Sequence, residues 1–247
     1  MLNGICVLPV IPMRETQSDK SEMINQILFG ETFVVLEKKH KWSYIKLSHD
    51  NYQGWIDNKQ FKFIKNTDHK SIVSTKKQAS IKINSIRQNL PLGGLIPLDE
   101  HLRQEINIAE NLRFHDVSHE KWFPILAKKY LNSPYMWGGR TPNGIDCSGY
   151  TQMVYRFFNI KLPRDSKQQS QLGKKLNNNL DAQLGDLAFF GKKKSINHVG
   201  IILKRNKIIH ASGKVRIDLL DTKGIFNTET NTYSHQLRFI KRFNIFN

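Results

Sequence analysis

The rhythm of hydrophobic and polar positions changes twice along the chain. Up to about residue 65 the apolar residues fall in short β-rich runs: Phe33-Val34-Val35-Leu36, Trp42-Ser43-Tyr44-Ile45-Lys46-Leu47 and Gly54-Trp55-Ile56-Asp57, punctuated by Gly30, Asn51 and Gly54. Short runs of β-branched and aromatic residues bounded by turn formers predict strands. Five or six of them in so short a stretch predict a small all-β barrel over 1–65. The next stretch, 66–110, is a linker or docking segment: Thr67 to Ser80 is polar and basic, and Ile81 to Leu98 reads as strands able to dock on either neighbour.

A third pattern fills 111–247. Trp122, Ile125, Leu126 and Tyr130 are spaced for an amphipathic helix that ends before Asn132-Ser133-Pro134. A turn-rich stretch, Trp137 to Asp146, feeds a second helix, on which Tyr150, Met153, Val154, Phe157 and Phe158 form one apolar face. Strands follow at Leu187 to Phe190, Val199 to Leu203, Ile208 to Ala211 and Leu237 to Phe243. Helices followed by a run of strands predict an α+β domain.

Composition narrows the class. With 247 residues, 39% of them hydrophobic and 24% charged, the chain has enough apolar material for two packed domains. No window approaches the roughly 20 apolar residues that cross a membrane as a helix. Met1 to Met13 lacks a cationic start and a small-residue cleavage site, so the expected location is the cytoplasm, or the periplasm or exterior if a signal was removed. The net charge of +17 fits an anionic partner. Yet the basic residues are scattered, the longest run being Lys192-Lys193-Lys194, and no nucleic-acid recognition motif accompanies them, so nucleic acid is not expected. The two cysteines, Cys6 and Cys147, do not make a disulfide framework, although a single bridge between them stays open.

The candidate chemistry centres on Cys147. It stands where a glycine-containing turn, Asn143-Gly144-Ile145-Asp146, meets the second helix, at the positive end of the helix dipole. A thiol of ordinary pKa is only about 3% thiolate at neutral pH, so a nucleophile needs such a place and a base. The alternative is a small buried hydrophobe at a helix start. His198 and His210 flank a predicted hairpin. With a three-residue loop, Lys204-Arg205-Asn206, Leu203 pairs with Lys207 and Gly200 faces His210, which puts both histidines on one face. They are then a diagonal pair roughly 7–8 Å apart at the backbone, and Gly200 leaves room between them. The arrangement reads as nucleophile, base and orienting group. The same Cys147, His198 and His210 also read as three ligands of a catalytic zinc, but without the usual short ligand pairs, so no metal and no cofactor is expected.

Taken in order, Pro134-Tyr135-Met136-Trp137-Gly138-Gly139, Asp146-Cys147-Ser148-Gly149, Leu162-Pro163-Arg164-Asp165-Ser166, Gly185-Asp186-Leu187, His198-Val199-Gly200-Ile201 and Ile209-His210-Ala211 resemble the NlpC family of papain-like cell-wall cysteine peptidases. The likeness covers roughly 115–245. It implies that Cys147 attacks, His198 is the base, His210 orients it and Tyr135 lines the oxyanion site. Asp50-Asn51-Tyr52-Gln53-Gly54-Trp55 resembles a bacterial SH3 module. SH3 module followed by peptidase is similar to the γ-D-glutamyl-L-diamino acid endopeptidases, which act on wall peptides with a free N-terminal L-alanine. By that resemblance Tyr52, Asp146 and Ser166 bind substrate; as residues alone they read as a loop aromatic, a helix cap and a surface hydroxyl.

The expected function is therefore cleavage of peptidoglycan-derived peptides in muropeptide recycling, by a chain with no membrane span and a favoured monomeric state. Two alternatives remain: an acyltransferase or amidase on the same scaffold, because fold does not fix reaction, and a wall-binding protein with an inert second domain.

Overall fold

A computed structural model describes residues 2–108, 120–192, 195–243 and 245. Lys193 and Lys194 of the basic run, and the expected boundary at 110–111, lie outside the described residues. The chain divides into two compact units, Met1–Asp116 with Trp137–Thr141, and Val117–Met136 with Pro142–Asn247.

In the first unit, β1 (Leu2–Ile5), β2 (Val10–Arg14), β3 (Met23–Leu28), β4 (Thr32–Lys38), β5 (Trp42–Leu47), β6 (Gln53–Asp57) and β7 (Lys62–Ile64) form one antiparallel sheet in the order β3-β2-β6-β5-β4-β1-β7. Ile27 on the end strand β3 and Phe61 beside the opposite end strand β7 join the same buried cluster with Ile11, Phe33, Ile45 and Ile56. The sheet must therefore curl around that core, as the alternating pattern of β5, Trp42 to Leu47, requires. Cys6 belongs to this cluster and is a free thiol, as Cys147 is, so the two are not bridged.

The segment after the sheet is folded. It holds β8 (Ser71–Val73), β9 (Ala79–Ile83), β10 (Ile86–Leu90), β11 (Leu95–Pro97) and α1 (Glu100–Glu105), the last capped by the Asp99 side chain, which accepts from Leu102 N at 2.8 Å. β9 pairs with β10 and β8 with β11. Ile81, Ile83, Leu90, Ile96, Leu102 and Ile106 from this segment bury a second cluster with Ile5, Phe29 and Ile64, so within the first unit it packs against the sheet region. Gly30 permits the approach. Its φ is +79°, and a Cβ there would lie 1.8 Å from the carbonyl oxygen of Leu95.

The short stretch Trp137–Thr141, which includes β12 (Arg140–Thr141), belongs to this unit as well. Arg140 is fully buried and makes a two-pronged ion pair with Glu31, at 2.8 and 2.9 Å, while its backbone N–H donates to Gln26 Oε1 at 2.7 Å. His49 lies against this pair and 3.2 Å from Asp50.

The second unit contains α2 (Trp122–Lys128), β13 (Gly144–Ile145), α3 (Cys147–Arg156), α4 (Ser166–Gln169), β14 (Lys174–Lys175), β15 (Leu187–Phe190), β16 (His198–Lys204), β17 (Lys207–Ser212), β18 (Lys214–Leu220), β19 (Gly224–Asn227) and β20 (Thr232–Arg242). β15 to β19 pair in sequence order, and β20 pairs with both β15 and β19, which closes a barrel. Ala188, Phe190, Ile202, Ile208, Leu220, Ile225 and Ile240 fill its interior. Side chains alternate along strands, so Leu187, Phe189, Val199, Ile201 and Ile209 face outward, toward α3. The chain is thus α+β, as its patterning predicts.

Three details differ from the sequence reading. On α2 the buried residues are Phe123, Leu126 and Ala127, followed by Tyr130, whereas Ile125 is exposed; the helix is rotated from the expected face. The helix α3 is buried on nearly every side rather than on one. Its polar side chains are covered by the segment around α4, where Gln169 donates to the Ser148 carbonyl and accepts from Thr151 Oγ1 at 2.7 Å. The strands β18 and β19, absent from the expected set, complete the barrel wall.

Candidate active site

Cys147 is the first residue of α3, and Asp146 is its cap, accepting from Gly149 N at 2.7 Å. The thiol is buried, with 6% of the residue exposed. Burial and the charge of Asp146 push it up to about 12, against the backbone N–H groups of Val199 and Ser148 and the Arg164 guanidinium, which favour the thiolate. Contact with Val199 sets the sulfur beside the residue that follows His198. Tyr135 shares this neighbourhood: burial, then the charges of Cys147 and Asp146, raise its hydroxyl to about 12, so it stays a hydrogen-bond donor. Its backbone N–H donates to Gly213 O at 2.9 Å, fixing it at the rim of a cleft of about 290 Å³ lined also by Asn197, His198, Ala211, Ser212 and His235.

The hairpin holds the two histidines in the expected register, with Gly200 opposite His210, but by a different turn. Lys204 pairs with Lys207, and the strand is irregular between Ile202 and Lys204, so Leu203 is bulged and the loop has two residues. The bulge absorbs the extra residue and keeps both histidines on the barrel's inner face. A Cβ on Gly200 would stand 2.8 Å from His210 Cβ.

On that face the rings form a chain. His198 Nε2 lies 2.9 Å from His210 Nδ1, and His210 Nε2 lies 3.0 Å from Asp218 Oδ2. Arg216 donates to both oxygens of Asp218, at 2.7 and 2.9 Å. Burial alone would raise the Asp218 carboxyl, but the hydrogen bonds from His210 and Arg216 hold it below the usual range. An ionised Asp218 only accepts, so His210 carries its proton on Nε2 and, when neutral, accepts at Nδ1. His198 must then donate from Nε2, which leaves its Nδ1 as an unprotonated lone pair. The network selects the tautomer a base requires. Burial, with His210 and His235 nearby, holds the His198 imidazole well below its ordinary value. His235, on β20, stacks on His198 with ring centres 4.0 Å apart.

The structure thus gathers Cys147, Tyr135 and the His198–His210 pair in the second unit. Asp146 is also there, buried, with its carboxylate engaged by Arg164 and by Ser148 Oγ at 3.2 Å. Ser166 opens α4 and is half-buried. Tyr52 lies in the first unit, packed against its sheet core, with its backbone N–H on Asp50 Oδ1 at 3.0 Å. The sequence reading missed Asp218, Arg216, Arg164 and His235. Alternation of Lys214, Arg216 and Asp218 with apolar residues was the available sign of a strand with a polar face; nothing local marks His235.

The NlpC/P60 family matches residues 132–233, and the family described as bacterial dipeptidyl-peptidase Sh3 domain matches residues 13–61. A gamma-D-glutamyl-L-lysine dipeptidyl-peptidase of Bacillus cereus (strain ATCC 10987 / NRS 248) is 28% identical over 85% of this chain and 73% of its own. The protein of that name in Bacillus subtilis (strain 168) is 26% identical over 83% of this chain and 78% of its own. The crystal structure of an NlpC/P60 family protein from Bacillus cereus ATCC 10987 shares the fold, with a TM-score of 0.77 at 20% identity over 97% of this chain and 99% of that one. Among the described residues no helix is long and apolar enough to cross a membrane.

Proposed function

Because the chain carries a cysteine-peptidase domain of the NlpC/P60 family behind a bacterial SH3 domain, we propose that it hydrolyses the γ-D-glutamyl-L-diamino acid bond of peptidoglycan-derived peptides bearing a free N-terminal L-alanine, in muropeptide recycling. The observation that carries this reading is the His198–His210–Asp218 chain, which leaves His198 Nδ1 as the free base. The names of the two Bacillus relatives supply the bond.

In the reaction the Cys147 thiol gives its proton to His198 Nδ1, and the thiolate attacks the γ-carbonyl carbon of D-glutamate. The oxyanion forms at the N-terminus of α3, where backbone N–H groups and the Tyr135 hydroxyl donate to it. Collapse expels the amine of the diamino acid, which takes the proton from His198. Water, deprotonated by the same nitrogen, then cleaves the thioester and restores the thiol. Burial keeps thiol and imidazole both neutral at rest, so charge separates only as substrate is attacked.

The substrate ammonium group is assigned to Asp146, whose carboxylate Arg164 and Gly149 hold in place. Asp146 keeps its Arg164 partner, so acetylation removes one charge-assisted hydrogen bond, about 1.5–3 kcal/mol, roughly 10- to 150-fold in kcat/KM. The test compares L-Ala-γ-D-Glu-diaminopimelate with its N-acetylated form, with products weighed by mass spectrometry. Free diamino acid and at least about tenfold slower cleavage of the acetylated peptide support the proposal. Equal rates refute the need for a free amino terminus, and an acylated product refutes hydrolysis.

A further inference from the structure

The geometry points to a binding site for a zinc-like divalent cation formed by His198, His210 and His235, whose occupation switches the peptidase off. One ligand nitrogen from each ring lies within 4.8 Å of the others. The nitrogens of His198 and His210 stand 2.9 Å apart. Two imidazole ligands on a tetrahedral zinc, with bonds of about 2.0–2.1 Å, are separated by roughly 3.3–3.4 Å, so the pair need only open by about half an ångström.

The surroundings match what such ligands require. A metal-bound histidine usually has its other nitrogen held by a carboxylate or another polar group. His210 Nε2 is on Asp218 at 3.0 Å, which directs Nδ1 at the common point. His235 Nδ1 is 2.9 Å from Ser234 Oγ, which leaves its Nε2 for the ion. The His235 ring stacks on His198 with centres 4.0 Å apart, and must turn out of that stack to bring its Nε2 to the ion. An all-imidazole set selects zinc, copper or nickel over magnesium and calcium, which prefer oxygen. His198 and His235 both line the cleft, which gives the ion an entry path and leaves the fourth position to water. The zinc reading of the sequence used Cys147 as third ligand; the structure supplies His235 in its place.

Inhibition follows from the atoms used. The ion takes His198 Nε2 and His210 Nδ1, the two ends of the relay bond. The proton of His198 Nε2 moves to Nδ1, so the ring remains neutral and no proton is lost. Nδ1–H cannot accept the thiol proton, and the base is gone. The binding half of this inference is independent of the reaction; the inhibition half rests on the peptidase reading.

The experiment is a cobalt(II) titration of the full chain without substrate, followed by visible absorption, paired with zinc inhibition of tripeptide cleavage relative to each variant's own metal-free rate. Binding of one equivalent with a tetrahedral cobalt spectrum is expected in the unmodified protein and equally in Cys147→Ser. Outer-ligand losses typically weaken metal sites 10–100-fold, so Ser234→Ala should weaken binding about tenfold and His235→Phe about 100-fold or more, with zinc inhibition shifting in step. Loss of the cobalt spectrum in Cys147→Ser would identify the thiol as ligand and overturn the site. Unchanged affinity in both His235→Phe and Ser234→Ala, or no binding by the unmodified chain, would also overturn it. If cobalt binds as expected but metal-free protein cleaves nothing, the binding half stands and the peptidase reading fails.

Discussion

His210 Nε2 lies 3.0 Å from Asp218 Oδ2, on the side of the ring turned away from His198. This contact decides where the protons sit on both rings. Arg216 pairs with Asp218 and holds the carboxylate in place against His210 Nε2. Asp218 touches no reacting atom and acts through His210; it is a positioning residue.

Replacing it should therefore lower turnover without removing the nucleophile. Asp218→Ala lets His210 take the wrong tautomer, and kcat should fall on the order of 10- to 100-fold with KM little changed. Asp218→Asn, whose amide oxygen can still accept from Nε2, should recover part of that loss. A KM effect alone, or no recovery with Asn, would contradict the positioning role.

Gly200 should be equally sensitive for a steric reason. A Cβ there would stand 2.8 Å from His210 Cβ and 2.7 Å from Ile208 Cδ1. Gly200→Ala should cost about 1–3 kcal/mol of stability by overpacking, and should displace His210 enough to lower kcat. Steady-state kinetics beside thermal unfolding measures both. A variant of unchanged stability and rate would show that the strand yields.

The buried charges make a stability prediction. Asp146 and Arg164 pair with 3% and 2% of each residue exposed. Removing one partner of such a pair typically costs about 3–5 kcal/mol. Arg164→Met should lower the urea midpoint accordingly, and a change under about 1 kcal/mol would contradict the pairing.

The histidines set the pH response. His198 is depressed well below its ordinary value by burial, then by His210 and His235; His235 is lowered to about 4 by burial and His210, with Asp218 opposing. A histidine depressed on folding binds more protons when unfolded, so stability should fall as pH drops below about 6.5. For His235 the decline continues to about 4. The His198 base is likewise held neutral below the ordinary histidine value, so in metal-free buffer the acid limb of kcat/KM should lie below that value. A limb at or above pH 7 would contradict a buried neutral His198.

Much of this site was legible in the sequence because its residues sit on local patterns. Cys147 follows a turn at a helix start, and His198 and His210 share a hairpin whose alternation survives the bulge at Leu203. His235 was not legible, because barrel closure brings β20 to the histidine pair; Asp218 sits on the strand next to β17, and its alternation with Lys214 and Arg216 was the sign that went unread. The face of α2 was misjudged since Trp122 and Ile125 are apolar yet incompletely buried, and apolarity alone does not say which side meets the core. Residues 71–106 were ambiguous for a similar reason. Ile81, Ile83 and Leu90 find their partners on Ile5, Phe29 and Ile64, far away in the chain.

The central claim is that Cys147 is the nucleophile of a peptidase. Its most direct test is turnover of L-Ala-γ-D-Glu-diaminopimelate by the unmodified chain and by Cys147→Ala, with released diamino acid quantified. Release by the unmodified chain is expected, with a loss of about a thousandfold or more in the variant, since no other group replaces the thiol. Near-normal release by Cys147→Ala, or activity abolished only by chelators, would contradict it.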